Sequence, residues 1–244
     1  MSKVEVKNLT KSFGDLLVLD DISFNVEQGE FLCIVGPTGC GKTTFLNSLT
    51  KIYDINKGSI KIDGEEDDLK KHSHAYIMQE YSTMSWLNVR QNVAFGLEIM
   101  KLSKQQIREK TDAALELVGL TKFADYYPNQ LSASMMQRVA IARAFAVEPD
   151  LLLMDEPYGQ LDLELRFKLE DELLNLWRKV GTTVIFITHN IEEAVYLSQR
   201  ILVLTNKPTT IKENIINTLP YPRSVTDENF IELRERVTSL IKWW

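Results

Sequence analysis

The stretch Gly36-Pro37-Thr38-Gly39-Cys40-Gly41-Lys42-Thr43-Thr44 fits G-x-x-x-x-G-K-[ST], the pattern of a phosphate-cradling loop. The apolar run Phe31 to Val35 before it reads as a buried strand, and Thr43 to Leu49 after it suits a helix. That strand–loop–helix context is what the pattern requires. Glycines let the backbone turn so that successive N–H groups converge on a phosphate. The helix N-terminus behind them adds roughly half a positive charge. Lys42 is placed to reach the outer phosphates of a nucleotide, and the Thr43 hydroxyl to help hold Mg2+.

Outward from this loop the chain alternates strands and helices. Val4 to Val6, Ile22 to Val26, Ile60 to Ile62, Ala75 to Met78, Leu151 to Glu156, Thr183 to Thr188 and Ile201 to Leu204 read as strands. Thr10 to Gly14 reads as a turn carrying Phe13, and Asp63-Gly64 as another turn. From about 80 to 135 the pattern becomes helical. Ser103 to Gln106 has the form of a capping box, followed by Ile107, Thr111, Ala114, Leu115 and Val118 on one face, with Gly119 as a C-cap. Ser132 or Ser134 opens the next helix and Pro149 closes it. Leu169, Leu173, Leu176, Trp177 and Val180 form a stripe ended by Gly181. Phe230, Leu233, Val237 and Ile241 mark a last amphipathic helix. The expected fold is α/β, a mainly parallel sheet covered by helices, with an inserted helical subdomain at about 80–135 and a helical extension at about 220–244. The chain is expected to be one nucleotide-binding domain over 1–244.

Chemistry in such a sheet belongs at the carboxyl ends of the strands. Gly36, Gln79, Asp155 and His189 all fall there. Asp155 suits the water shell of a nucleotide-bound Mg2+, and Glu156 suits polarisation of an attacking water. The bland alternative for this pair is a helix cap or a surface pair. His189 is placed to bond a γ-phosphate and the attacking water; otherwise it is structural. Phe13 is either a platform for an adenine ring or core filling. Cys40, at a helix N-terminus, is expected to have a lowered thiol pKa and to be open to modification. His72 and His74 have metal-like spacing without a third ligand, so a solvated loop is expected. The acidic run Glu65 to Asp68 reads as a solvated loop as well.

The totals exclude several classes. With 244 residues, 44% hydrophobic and 25% charged, the chain has the composition of a globular protein able to bury a large core. A net charge of -6 argues against a nucleic-acid partner. Cys33 and Cys40, the two cysteines, are too close and too committed to pair, which points to a reduced, cytosolic compartment. Met1 to Val6 shows no apolar signal segment, and no run approaches the ~18 apolar residues of a membrane span. A membrane role must then come through a partner.

Taken together, the ordered motifs resemble the ATP-binding subunit of an ABC transporter over nearly the whole chain. The glycine-rich loop corresponds to Walker A, Gln79 to the Q-loop glutamine and Leu151 to Glu156 to Walker B with its catalytic glutamate. Gly159 to Asp162 corresponds to the D-loop, His189 to the switch histidine and Phe13 to the aromatic A-loop position. Ile77 to Glu80, Trp86, Asn92 to Leu97, Thr188 to Val195 and Pro220 to Arg223 look like the branch serving nitrate, sulfonate, taurine and related importers. The resemblance implies a P-loop NTPase core with an N-terminal antiparallel β part. It also implies binding and hydrolysis of ATP with Mg2+, the metal held by Thr43, Gln79 and Asp155. The implied partners are a second ATPase subunit, with a homodimer favoured, a transmembrane permease docking around Gln79 to Trp86, and indirectly a solute-binding protein. The implied location is the cytoplasmic face of the membrane.

One stretch departs from the family. The L-S-G-G-x-x-Q signature reads Leu131-Ser132-Ala133-Ser134-Met135-Met136-Gln137-Arg138, so both glycines are replaced. In the family this segment closes on the γ-phosphate of the opposite subunit through N–H groups and serine, here Ser132 and Ser134. The expectation is a strained closed dimer with slowed hydrolysis. The alternative function is a weakly hydrolysing or regulatory ATP-binding subunit in a heterodimer.

Overall fold

The computed structural model describes residues 2–65, 74–80 and 82–241. In chain order these form β1 (Ser2–Phe13), β2 (Leu16–Glu27), β3 (Phe31–Val35), α1 (Lys42–Leu49), β4 (Lys57–Ile62), β5 (His74–Ile77), α2 (Val89–Ile99) and α3 (Lys104–Leu117). Then come α4 (Ala133–Ala146), β6 (Leu151–Asp155), α5 (Leu163–Val180), β7 (Thr183–Ile187), α6 (Ile191–Leu197), β8 (Arg200–Leu204), β9 (Ile211–Ile216) and α7 (Glu228–Leu240). The chain divides into two compact units, Met1–His72 with Thr183–Trp244, and Ser73–Thr182.

In the first unit β2, β1 and β4 form an antiparallel sheet in that order. Beside it β7 and β8 flank β3 in parallel, and β9 runs antiparallel to β8. Every residue of β3, β7 and β8 is buried, as expected of strands covered on both faces. Phe31 and Phe186 meet in this core with ring centroids 6.2 Å apart. Arg200 is 7% exposed and forks onto Glu30, with Nε to Oε1 at 2.5 Å and Nη2 to Oε2 at 2.9 Å. That bidentate pair fastens the start of β8 to the turn before β3. In α7, Phe230 and Val237 are buried and Leu233 is half-buried, as the stripe requires.

In the second unit β5 and β6 pair in parallel. Ser103 and Gln106 make the expected capping box on α3, and Asn88 with Gln91 makes a second on α2. Thr111, Ala114, Leu115 and Val118 are buried, and Gly119 follows in the left-handed region. Gly181 ends α5 in the same way. The α5 stripe is only partly a core face: Leu169 and Leu173 are buried, while Val180 is 37% exposed.

The strands depart from expectation in two places. Thr10 to Phe13 is strand rather than turn, because β1 runs on to Phe13 and only Gly14-Asp15 turns. The alternation is broken by register shifts, with Asn8 and Asp21 at φ 49° and 51°, so the polar residues of one long hairpin look like a loop. β9 was not expected; it is an edge strand whose lysine, glutamate and asparagine hide the pattern. The expectations for Glu66 to Asp68 and for His72 lie outside the described residues.

Candidate active site

The phosphate loop sits between β3 and α1 in the first unit. Gly36, Pro37, Cys40 and Lys42 are buried, while Thr38, Gly39 and Thr43 are exposed. Gly41 is the N-cap of α1 at φ 116°, with no side chain capping the helix. A Cβ there would stand 2.8 Å from Val18 Cγ1, so both the backbone angle and the space demand glycine. The first N–H groups of α1 therefore lack a side-chain acceptor, which is the condition for an anion to cap the helix. Lys42 Nζ folds back to donate to the carbonyls of Gly36 at 2.9 Å and Pro37 at 3.1 Å. It is thereby held over its own loop. Thr44 is half-buried on the first turn.

Cys40 behaves opposite to the sequence expectation. It is 2% exposed, and burial raises its thiol pKa, outweighing the neighbouring Lys42 charge that lowers it. It is not an activated thiol. Both cysteines are free and buried.

Phe13 is 43% exposed, so it is not core filling. Its ring stands edge-on to Tyr53 at 5.3 Å, with Lys11 Nζ 4.7 Å from its centroid. The exposed ring, with the Lys11 ammonium over one face, lies in the same unit as the phosphate loop. His189 is exposed, two residues beyond β7. Its turn is fixed by Thr188, whose hydroxyl donates to Glu193 at 2.6 Å, and by Asn190, which caps α6.

The carboxylates lie in the second unit. Asp155 is the last residue of β6 and fully buried. Glu156 leaves the strand at φ 47°, a backbone angle that costs a non-glycine residue of order 1 kcal/mol or more. Neither acid caps a helix, because the next helix, α5, has Asp162 as its N-cap. Gln79, exposed just beyond β5, donates from Nε2 to Glu156 Oε2 at 3.4 Å. His74 belongs to no metal-binding cluster among the described residues.

The altered signature opens α4. Ser132 is its N-cap and accepts the Met135 N–H at 3.2 Å. Ala133 and Ser134 are the first two helical residues, and neither has a positive φ. The backbone of this chain therefore does not call for glycine at either position, and the expected strain is not stored within the chain. Gln137, buried, donates to the Pro157 carbonyl at 3.0 Å, tying the signature helix to the segment after Glu156. Asp162 caps α5 through the Leu165 N–H at 2.9 Å.

Sequence reasoning missed the residues that hold the loop from Ser82 to Asn88. Asn92 is fully buried; its amide donates to the carbonyls of Met84, Leu87 and Asn88, and its Oδ1 accepts the Met84 N–H at 2.8 Å. Arg143 reaches the Ser82 carbonyl at 2.9 Å and its hydroxyl at 2.5 Å. Together they present Trp86, which is 74% exposed. The one legible signal was a polar residue on the apolar face of α2.

The family model for ABC transporters matches residues 19–159. An uncharacterized ABC transporter ATP-binding protein of Methanocaldococcus jannaschii is 41% identical over 98% of this chain and 91% of its own. The aliphatic sulfonates import ATP-binding protein SsuB of Bacillus cereus is 42% identical over 95% of this chain and 91% of its own. Among solved structures, a dimeric ATP-binding cassette in a post-hydrolysis state bound to ADP and Pi superposes with a TM-score of 0.80. It is 30% identical and covers 89% of this chain and all of its own. The chain belongs to the ABC transporter family, as one of its ATP-binding, ATP-hydrolysing subunits. Its fold is that of the P-loop NTPases, mixed sheets with helices. These relatives do not favour the regulatory, weakly hydrolysing alternative. Among the described residues no helix is long and apolar enough to cross a membrane.

Proposed function

We propose that this chain energises a sulfonate-type importer of small solutes from the cytoplasmic face of the membrane, bound there through a permease. The observation that carries the catalytic half is the uncapped N-terminus of α1 behind Gly41 and Lys42, a cradle for a triphosphate. The likeness to the Bacillus cereus sulfonate protein over nearly the whole chain supports the importer half. A solute-binding protein would deliver cargo to the permease. The exposed Trp86, on a loop clamped by Asn92 and Arg143, is a rigid anchor for that permease.

Two copies of the chain act together. In each, Gly36 to Thr44 holds the phosphates and Phe13 stacks on adenine, while Ser132 and Ser134 of the other copy close over the γ-phosphate. Thr43, Asp155 and Gln79 would be the groups to hold Mg2+; each carries a side-chain oxygen, the donor type that a hard divalent cation prefers. When bound, that ion neutralises charge on the phosphate oxygens. Glu156 takes a proton from water as its oxygen attacks the γ-phosphorus. The bond from that phosphorus to the bridging oxygen breaks, leaving ADP and phosphate. His189 orients the water and the γ-phosphate.

The test is ATP turnover by the chain assembled with its permease in vesicles, with the solute-binding protein present. Added alkanesulfonate is expected to raise turnover several-fold. Turnover indifferent to alkanesulfonates but raised by another solute class would overturn the cargo assignment.

A further inference from the structure

The segment between β8 and β9 carries no motif, yet it grips the phosphate loop. Thr209 is fully buried. Its N–H donates to the Val18 carbonyl and its carbonyl accepts the Asp20 N–H, both at 2.9 Å, pairing it with Leu19 of β2. The segment is closed by Thr205 and Thr210: the Thr205 N–H reaches the Thr210 carbonyl at 3.1 Å, and the Thr210 N–H reaches the Thr205 hydroxyl at 2.9 Å. With its backbone bound on both sides, Thr209 has a fixed aim. Its hydroxyl donates to the carbonyl of Cys40 in the phosphate loop.

That carbonyl shares a planar trans peptide with the N–H of Gly41, and the two groups point in opposite directions. Holding the Cys40 carbonyl toward Thr209 therefore directs the Gly41 N–H away from it. Val18 and Leu19, on the same strand that anchors Thr209, stand 2.8 Å and 3.2 Å from where a Gly41 Cβ would lie. The strand thus fixes Gly41 by packing and, through Thr209, the peptide before it by a hydrogen bond.

We propose that Thr209 is a positioning residue for phosphate binding: it fixes the Cys40–Gly41 peptide so that the Gly41 N–H is already aimed when a nucleotide arrives. This rests on the reading of Gly36 to Thr44 as the phosphate site. The hydroxyl's contribution is preorganisation, which acts on affinity.

The test uses the full chain with Thr209→Val, which keeps the shape and removes the donor, and Thr209→Ser, which keeps the donor. ADP affinity by calorimetry, and KM and kcat for ATP, are measured for each. A single hydrogen bond predicts that the valine variant loses up to about tenfold in ADP affinity and in KM, with kcat within about twofold. The serine variant is expected to bind and turn over like the parent. A purely structural role would instead lower the melting temperature of both variants while leaving KM unchanged. Unchanged KM in the valine variant, or a serine variant no better than valine, overturns the proposal while ADP binding by the parent leaves the phosphate site standing. A parent that binds no ADP overturns both. If the valine variant does not fold, Thr209→Ala carries the same comparison.

Discussion

Gln79 Nε2 lies 3.4 Å from Glu156 Oε2, joining the second residue after β5 to the first residue after β6. The contact is long and Gln79 is exposed, so the amide is a loosely held companion of the carboxylate. It can exchange that partner for a water or a metal-bound oxygen. Gln79→Ala is therefore expected to reduce ATP turnover by about 10- to 100-fold, the scale seen when one supporting group of a metal site is removed, while ADP binding stays intact. Steady-state turnover across a Mg2+ titration, beside ADP calorimetry, checks this.

The Pro220 to Arg223 segment, legible in the sequence only as a family mark, has a physical role. Arg223 is 8% exposed and its Nη1 donates to the carbonyls of Val195 at 2.7 Å, Tyr196 at 2.9 Å and Ser198 at 2.7 Å. It caps the C-terminus of α6, the helix that follows His189, and its guanidinium lies 4.0 Å from the Tyr221 ring centroid. Arg223→Ala removes these charge-assisted bonds and leaves Asn217 Nδ2 as the donor still serving the Val195 and Ser198 carbonyls, at 2.9 Å each, and is expected to cost about 2 kcal/mol in urea unfolding. Arg223→Lys is expected to recover only part of this, because an ammonium cannot span the same carbonyls.

Cys40 is predicted to be inert in the folded chain. At pH 7 a thiol-alkylating reagent should label it slowly in the native protein and rapidly in urea, read by mass spectrometry of the loop peptide. Its folded pKa is raised above the ordinary 9.0, chiefly by burial. The folded state thus holds the thiol proton more tightly than the unfolded chain. The associated stability is full below the ordinary thiol pKa and is lost as pH rises through the folded value. Cys40→Ala should remove that part of the alkaline decline.

Restoring both signature glycines is predicted to separate stability from turnover. Ala133 and Ser134 occupy helical backbone at the start of α4, where glycine costs up to about 1 kcal/mol each. The Ala133→Gly/Ser134→Gly variant should therefore melt lower. It should also turn over ATP faster, because removing two Cβ atoms lets the segment approach the other copy's γ-phosphate. A lower melting temperature with unchanged turnover would contradict that reading.

Local structure was readable in the sequence; neighbours distant in sequence were not. The phosphate loop, the capping box of Ser103 and Gln106 and the stop at Gly181 each lie within a few residues, and each stands where expected. The helix N-terminus beside Cys40 was visible, but not the burial that reverses its effect on the thiol. The glycine replacements at Ala133 and Ser134 were visible, as was a helix opening at Ser132 or Ser134, but not that Ser132 is the cap and both replacements are therefore helical. The roles of Asn92 and Arg143 depend on carbonyls that only the folded loop presents to them. Thr209 meets Cys40 across 169 positions, a pairing no local pattern announces.

The central claim is that this chain is a working ATPase whose base is Glu156. The most direct measurement is ATP hydrolysis by the purified chain with Mg2+ over a range of protein concentrations, beside Glu156→Gln. The account predicts turnover that rises more steeply than linearly with protein concentration, as two copies assemble. It also predicts loss of turnover in the variant, which still binds ATP. Turnover undiminished in Glu156→Gln would contradict it.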